Sequence, residues 1–372
     1  MNKASEVKPK RGKLKIFFAI LAITLLVLTL FTAFFLTTWV KGKIITLVEK
    51  HSEYKIKIKS VTFKGLHDIE IAGIEIYPKQ SKAEFYRPGN FEKEWIEVKA
   101  KLVAKGVDWK SLMLKNKMYA EKVYITEGNL FVYRDKRMPD GPHKYRPLHS
   151  YILRNASFSL TLPYIELEYA KIKYEEKSET GVNSKIEFKK LKGNAYHLST
   201  DHFYLEKHPE FTLIAKGTVG DSISANLKYK FNTLNKNDNF TFEGQTGPFS
   251  ASLLNDYITP ITSAKINSGH VSKITMNFFA TNDHADGTLN IDYNNLKVDF
   301  LSKNKKNRDL RLIIRMLLNK TDRKRNGKER EEGKINCTRD KEASVFNYWW
   351  LAIRSGLISS VVKINIVKRK AD

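Results

Sequence analysis

The nine histidines are the side chains of this chain best suited to metal binding or acid–base chemistry. Three of them, His197, His202 and His208, lie close together, and Asp201 stands directly before the second. Spacings of five and six residues fit neither one face of a helix nor a recurring zinc pattern. We therefore interpret this stretch, like the histidines of the proline-rich loop 136–150, as polar loop, and we predict no metal site.

Carboxylates and nucleophiles give no stronger indication of an enzyme. Glu166 and Glu168 alternate, and Glu175 and Glu176 are adjacent, as is common at strand edges. No acid–base pair can be assigned among them. The sequence contains no phosphate-binding loop, no dinucleotide glycine fingerprint, no H-E-x-x-H and no G-x-S-x-G. The single cysteine, Cys337, excludes an internal disulfide and a cysteine-based zinc cluster. We predict a protein that is not an enzyme and needs no cofactor.

A net charge of +25 raises the question of nucleic-acid binding. The basic residues are scattered, however, and many occupy alternate positions of an expected strand, as in Lys55, Lys57 and Lys59. Such a pattern is typical of the solvated face of a sheet. No RNA-binding signature, zinc-finger spacing or basic–aromatic cluster accompanies it. We expect no nucleic-acid partner, and a wet face close to anionic lipid headgroups.

The elements that would position any site begin with an apolar segment, Ile16–Val40, which is twenty-five residues long and has no charge. Its Leu, Ile, Phe and Val residues favour membrane insertion by about 5 to 10 kcal/mol. As a helix the segment would be about 37 Å long, enough to cross a hydrocarbon core of about 30 Å. Trp39 falls at its far end, where an indole favours the membrane interface. We predict an uncleaved transmembrane helix.

The charges that flank this segment predict its orientation. Residues 1–15 form a leader with six basic residues and one acidic residue. An excess of basic residues favours the cytoplasmic side. We therefore expect a single-pass protein of the bacterial inner membrane, with its N-terminus in the cytoplasm and its bulk in the periplasm.

After a short juxtamembrane helix over residues 41–53, apolar residues alternate with polar ones through most of the chain, which is typical of strands. Between Ile71 and Ile74 the alternation changes parity at Ala72-Gly73, as a β-bulge would produce. The clearest apolar sets, on two strands, are Ile223, Ala225, Leu227, Tyr229 and Phe231, and then Leu289, Ile291 and Tyr293. The expected short helices are Asp108–Leu114, Ser250–Tyr257 and Asp309–Leu318. The pattern predicts a mainly β fold with an elongated antiparallel sheet that has one apolar and one polar face.

The end of the chain differs in composition. We predict a β-rich domain over residues 41–318, a charged mobile loop over 319–341, and an aromatic amphipathic segment over 342–372. In the last segment, Tyr348, Trp349 and Trp350 are candidate membrane-interface residues. Eighteen residues with a central Arg354 are marginal for a second span. A helix that lies on a membrane, or that packs over the end of the sheet, is the favoured interpretation.

Four segments carry a resemblance to a known family, through their pattern of apolar positions and glycines. They are Ile56–Pro78, Trp95–Tyr133, Leu253–Phe278 and Ala285–Leu301. With the basic leader and the anchor, this order of features resembles AsmA-like proteins of the bacterial envelope. The resemblance implies a bridge-like lipid-transfer architecture: a long curved sheet folded into a taco-like trough, with lipid tails on its apolar inner face. It implies a role in outer-membrane integrity or assembly, and no catalytic residue.

Two functions follow as expectations. In the first, the anchored sheet holds or transfers phospholipid, and the two apolar strand sets given above, from Ile223 to Tyr293, contact the acyl chains. In the second, the apolar face is closed into an ordinary core, and the protein is a structural or scaffold protein that binds envelope-assembly proteins. Alternation alone is compatible with both, since a sheet with one apolar face must cover it with protein or with ligand.

Overall fold

The fold is described from a computed structural model for residues 35–50, 52–86, 94–137, 145–178, 181–262, 264–300 and 332–361. These residues form one large, curved, open sheet of fourteen strands with a few short helices. The prediction of a mainly β fold built on a single curved sheet is confirmed. The predicted leader, most of the predicted anchor, and the helix expected over Asp309–Leu318 lie outside the described residues.

The strands are β1 (Tyr54–Lys57), β2 (Ser60–Phe63), β3 (Ile69–Pro78), β4 (Trp95–Val107), β5 (Lys117–Asp135), β6 (Ser159–Lys177), β7 (Asn183–Ser199), β8 (Glu210–Val219), β9 (Ile223–Asn232), β10 (Phe240–Thr246), β11 (Phe249–Ser250), β12 (Ala264–Ala280), β13 (His284–Phe300) and β14 (Gly333–Thr338). The helices are α1 (35–50), α2 (Lys82–Phe85), α3 (Trp109–Lys115), α4 (His149–Arg154), α5 (His202–Lys207), a 3₁₀ turn (Ala251–Leu254), α6 (Asn255–Thr262) and α7 (Val345–Val361). Two of the expected short helices are therefore present, as α3 and as the 3₁₀ turn with α6.

The strands follow one another across the sheet in nearly the order of the chain. The path runs β1-β3-β4-β5-β6-β7-β8-β9-β10-β12-β13-β14, with β2 beside β3 and β11 beside β12. One pair departs from the predicted antiparallel arrangement: β5 and β6 are parallel, in register from Lys117↔Ser159 to Asp135↔Lys177. Parallel neighbours need a long return connection. Here the segment 136–158, which includes α4, supplies it.

Four strands in the N-terminal half of the sheet each contain a β-bulge, a single extra residue with left-handed backbone, and these bulges lie at about the same height across the sheet. They are Gly73 on β3, Glu127 on β5, Tyr169 on β6 and Lys190 on β7, with φ between 52° and 61°. The strand registers shift beside each of them. Each bulge lets the strand change parity while its apolar residues stay on one face. The bulge predicted at Ala72-Gly73 is confirmed, and it is one of a series.

The helix α1 corrects the predicted boundary between anchor and domain. The sequence predicts that the anchor ends at Val40 and that a separate helix follows; the structure has one unbroken helix over residues 35–50. Val40 is only 2% exposed and belongs to a cluster with Ile56, Ile71 and Val123. The last residues of the predicted span are therefore packed on the sheet, because this helix has an apolar stripe that the sheet face covers. No helix within the described part of the chain combines the length and apolar character needed to cross a bilayer.

The loop predicted over residues 319–341 is wrong for Gly333–Thr338, which form β14 against β13. This strand belongs to the same sheet as the rest, so the domain does not end at residue 318. The outward N–H groups of Lys334 and Asn336 donate to the hydroxyls of Ser359 and Ser355 on α7, at 3.0 and 3.1 Å. Four helical residues rise about 6 Å and two strand residues about 6.6 Å. The distance between the two serines along α7 therefore matches the distance between the two N–H groups along β14. Helix α7 thus lies along the edge of β14, where a further strand would otherwise pair.

Candidate functional site: the apolar face of the sheet

Two rows of paired residues run across the sheet on its apolar face. Residues that pair directly on neighbouring strands point to the same side. The first row is Ile69, Ala104, Val123, Ile165, Ala195, Leu213, Tyr229, Phe242, Phe278, Gly287 and Ile335. The second is Ile71, Leu102, Ile125, Leu167, Gly193, Ala215, Leu227, Gly244, Met276, Leu289 and Gly333. Neither row contains a charge, so a continuous apolar surface extends from β3 to β14.

The helix α1 covers the N-terminal part of this surface. Leu36, Trp39 and Val40 pack on β1 to β5, together with residues of the next turns. Trp39, the predicted interface residue, thus lies partly buried against the sheet, and Lys43 stands 5.7 Å from its ring centroid. The covered strands are the first ones that follow α1 in the chain.

The helix α7 covers the C-terminal part. Trp349 lies 4.9 Å from the ring of Tyr229 and 4.9 Å from that of Phe242. Tyr348 is 1% exposed and its hydroxyl donates to the carbonyl oxygen of Thr281 at 3.2 Å. These two aromatic residues face the sheet, because α7 packs directly on β13 and β14. Of the two predicted positions for this helix, packing over the end of the sheet is the one observed.

Trp350, the third predicted interface residue, is also in contact with the domain. Its ring lies 5.0 Å from that of Tyr257 on α6.

A side chain on Gly356 of α7 would collide with Leu289 of β13, since an added Cβ would lie 2.7 Å from the Cβ atom of Leu289. The close approach of α7 to the sheet therefore requires the glycine at this position.

The connection between β5 and β6 adds a second cover to the C-terminal part. Leu148 is 1% exposed in the main core cluster, and the ring of His149 lies 5.9 Å from that of Tyr229. His149 Nδ1 and the Tyr229 hydroxyl are 3.2 Å apart. Loss of water around the imidazole, reinforced by the positive charge of Arg339, lowers the pKa of His149 from 6.5 to about 4. The ring is therefore neutral in the folded protein near neutral pH.

The structure brings the predicted acyl-chain contacts together on one face, mostly beneath these covers. Buried in the main cluster are Ile223, Tyr229, Phe231, Leu289 and Tyr293. Partly buried are Ala225, Leu227 and Ile291. The alternation places all eight on the correct face. It does not show that protein covers five of them, because the covering segments α4 and α7 are distant in sequence.

Between the two covers the apolar face is only half-buried. The residues concerned lie on β5 to β8 and are Leu130, Leu167, Ile172, Phe188 and Ala215. Neighbouring strands at about 4.8 Å shield the sides of such side chains. Their tips remain accessible unless another layer packs above them. The sequence did not predict this region as a site. The only signal in the sequence was the change in apolar parity at the bulges of β5, β6 and β7, which lie in the same strands.

The histidine cluster is only partly assembled. The rings of His197 and His208 stack at 4.7 Å with 6° between their planes, and His197 Nδ1 is 2.8 Å from the Tyr204 hydroxyl. His202 instead faces Glu206 at 3.3 Å. Asp201 caps α5, and an ion pair with a lysine lowers the pKa of its carboxyl. Among the described residues no three potential ligands are grouped to hold a metal ion.

Comparison with protein-family models and with curated proteins finds no match for this chain.

Proposed function

We propose that this chain is a membrane-anchored, AsmA-like envelope protein that holds phospholipid on the middle of its apolar face and transfers it. One observation carries the proposal: the apolar rows continue from β3 to β14, yet the face is half-buried between its two helical covers. A closed core would bury these side chains completely. An acyl chain supplies the missing layer and gains about 0.8 kcal/mol for each methylene that leaves water.

The position of α1 supports an exchange with a membrane. The apolar segment that starts at Ile16 leads directly into α1, whose residues Trp39 and Val40 pack on the same face as the rows. If the segment that starts at Ile16 spans the inner membrane, as the sequence predicts for Ile16–Val40, the apolar face begins where the chain leaves the bilayer. A lipid tail would then pass between two apolar environments with little exposure to water.

The test compares two tryptophan substitutions on neighbouring residues of β8. Ala215→Trp places an indole on the half-buried apolar face, whereas Lys216→Trp places the same ring on the polar face. We expect phospholipid to co-purify with the full-length wild-type chain and with K216W in native mass spectrometry, and to be reduced about tenfold in A215W. Melting temperatures of the three proteins verify that the strands still fold.

Absence of phospholipid from the wild-type protein contradicts the proposal, and so does equal loss in both variants. A second candidate, the closed structural scaffold, is favoured by one observation: α4 and α7 bury most of the face on β9 to β14. That function predicts no bound lipid. It also predicts that A215W is destabilised in proportion to the volume forced into a packed layer.

A further inference from the structure

The polar face carries a groove that the proposed function does not use. The groove has a volume of about 700 Å³ and crosses six strands, from β6 to β12. One wall is the paired row Glu166, Asn194, Ile214, Lys228, Glu243 and Asn277. The other wall is Glu168, Lys192, Lys216, Asn226 and Gln245. Between the walls lies the backbone of the second apolar row, whose side chains point to the opposite face.

The groove is locally neutral in a strongly basic protein. Three carboxylates and three ammonium groups line it, against a net charge of +25 for the chain. Lys228 and Glu243 are neighbours in the same wall and form an ion pair at 3.7 Å. A polyanion would be repelled by the carboxylates. The ligand that complements such a surface carries little net charge.

Side-chain amides supply free hydrogen-bonding groups along the groove. Asn226, Gln245 and Asn277 make no side-chain hydrogen bond to any residue that the structure describes. Each carboxamide offers two donors and one acceptor oxygen. Asn194 is already oriented, since it accepts from the Tyr164 hydroxyl at 2.9 Å. Six strands at about 4.8 Å span about 24 Å, and both donors and acceptors are distributed over this length.

An aromatic ring stands at the end of this groove. Tyr169 occupies the bulge of β6 with φ 54° and is 62% exposed. A bulky residue at positive φ is an outlier, and such strain persists where the surroundings enforce it. Lys192, a wall residue, contacts the ring, with its Nζ 4.1 Å from the ring centroid and 3.1 Å from the hydroxyl. The bulge thus displays an accessible ring beside Glu168.

We propose that this groove binds an uncharged, linear oligosaccharide. Sugar hydroxyls both donate and accept, which suits amides and carboxylates in the same site. The C–H face of a sugar ring is apolar and packs on a flat aromatic ring such as Tyr169. An acyl chain would leave the polar walls unsatisfied. The site lies on the opposite face from the proposed lipid surface, so either function stands without the other.

The experiment titrates the full-length chain with cellohexaose and with chitohexaose by calorimetry. We expect binding of at least one hexasaccharide, with Kd about tenfold weaker in Tyr169→Gly and in Asn226→Ala. Tyr169→Gly relieves the positive φ, so its melting temperature should not fall below that of the wild type. Asn294→Ala, an exposed asparagine of β13 outside the groove, is the matched control and should bind like the wild type.

Three results would overturn the proposal. The first is that neither hexasaccharide binds the wild-type protein. The second is that Asn294→Ala weakens binding as much as Tyr169→Gly does, which would place the sugar elsewhere. The third is that heparin, used as a polyanion probe, displaces the bound hexasaccharide, which would identify a basic surface in place of a neutral groove.

Discussion

Acidification should destabilise this fold through one histidine. His149 lies on the return connection between β5 and β6, with its ring beside Tyr229 and 6.4 Å from the ring of Phe231. These aromatic neighbours and the charge of Arg339 lower its pKa from 6.5 to about 4. The folded protein therefore resists protonation of a group that the unfolded chain protonates readily.

The sign and size of the effect follow from that difference. Above about pH 6.5 the imidazole is neutral in both states, and it costs no stability. Between about pH 6.5 and pH 4 only the unfolded state binds the proton, so the free energy of unfolding falls with pH. Each pKa unit corresponds to 1.36 kcal/mol, so the total loss attributable to His149 is about 3 kcal/mol. Below about pH 4 both states are protonated and the loss is complete.

Urea denaturation of the wild type and of His149→Phe, across that pH range, measures this contribution. The substitution keeps a ring in the site but removes the titrating group, so H149F should lose about 3 kcal/mol less than the wild type on acidification. Because carboxylates titrate in the same range, only the difference between the two proteins is informative. His270→Phe makes the same substitution at an exposed histidine of β12 and controls for the replacement of a histidine by phenylalanine. A pH dependence in H149F equal to that of the wild type would refute the reasoning.

Two further predictions concern the elements that close the C-terminal part of the sheet. Replacing both Ser355 and Ser359 by alanine should lower the free energy of unfolding by about 1 to 3 kcal/mol, because two N–H groups of β14 lose their acceptors. It should also increase light scattering on mild heating, because the exposed strand edge can then pair with another molecule. Unchanged stability and scattering would contradict the role of α7 at this edge. Arg154→Ala should cost about 3 to 5 kcal/mol in thermal or urea unfolding, because Asp238, paired with it at 2.9 Å, is left as a buried charge. Adding Asp238→Asn to R154A should restore part of that loss, and failure to do so would assign the effect to packing.

Alternation of apolar residues predicts the faces of the strands well. The set on β9 and the set on β13 all lie on the apolar face, and the parity change at Ala72-Gly73 is a bulge. These features are local, because side-chain direction in a strand is set by position alone. Tyr169 shows the limit: in the sequence it continues the apolar alternation of β6, but the bulge turns it to the exposed face.

The features that the sequence did not predict depend on distant parts of the chain. The parallel pairing of β5 with β6 depends on the path of a return segment, and neither strand carries a signal for it. The covers formed by α4 and α7 are tertiary contacts, so their effect on the candidate lipid contacts appears only in the structure. The helix α1 passes through the predicted boundary at Val40, because hydropathy measures apolar character and does not distinguish lipid from protein as its environment.

The pairing of α7 with β14 limits the growth of the sheet along that strand. A β-sheet has no intrinsic width, and each exposed edge is a template on which another strand can be added. With Lys334 and Asn336 already bonded to serines, a newly arriving strand finds no free donors at those positions of β14. The opposite edge is formed by β1 and β2, each only four residues long. The chain itself therefore limits the addition of a strand at both of these edges: helix α7 takes up donors of β14, and the edge next to α1 presents two short strands.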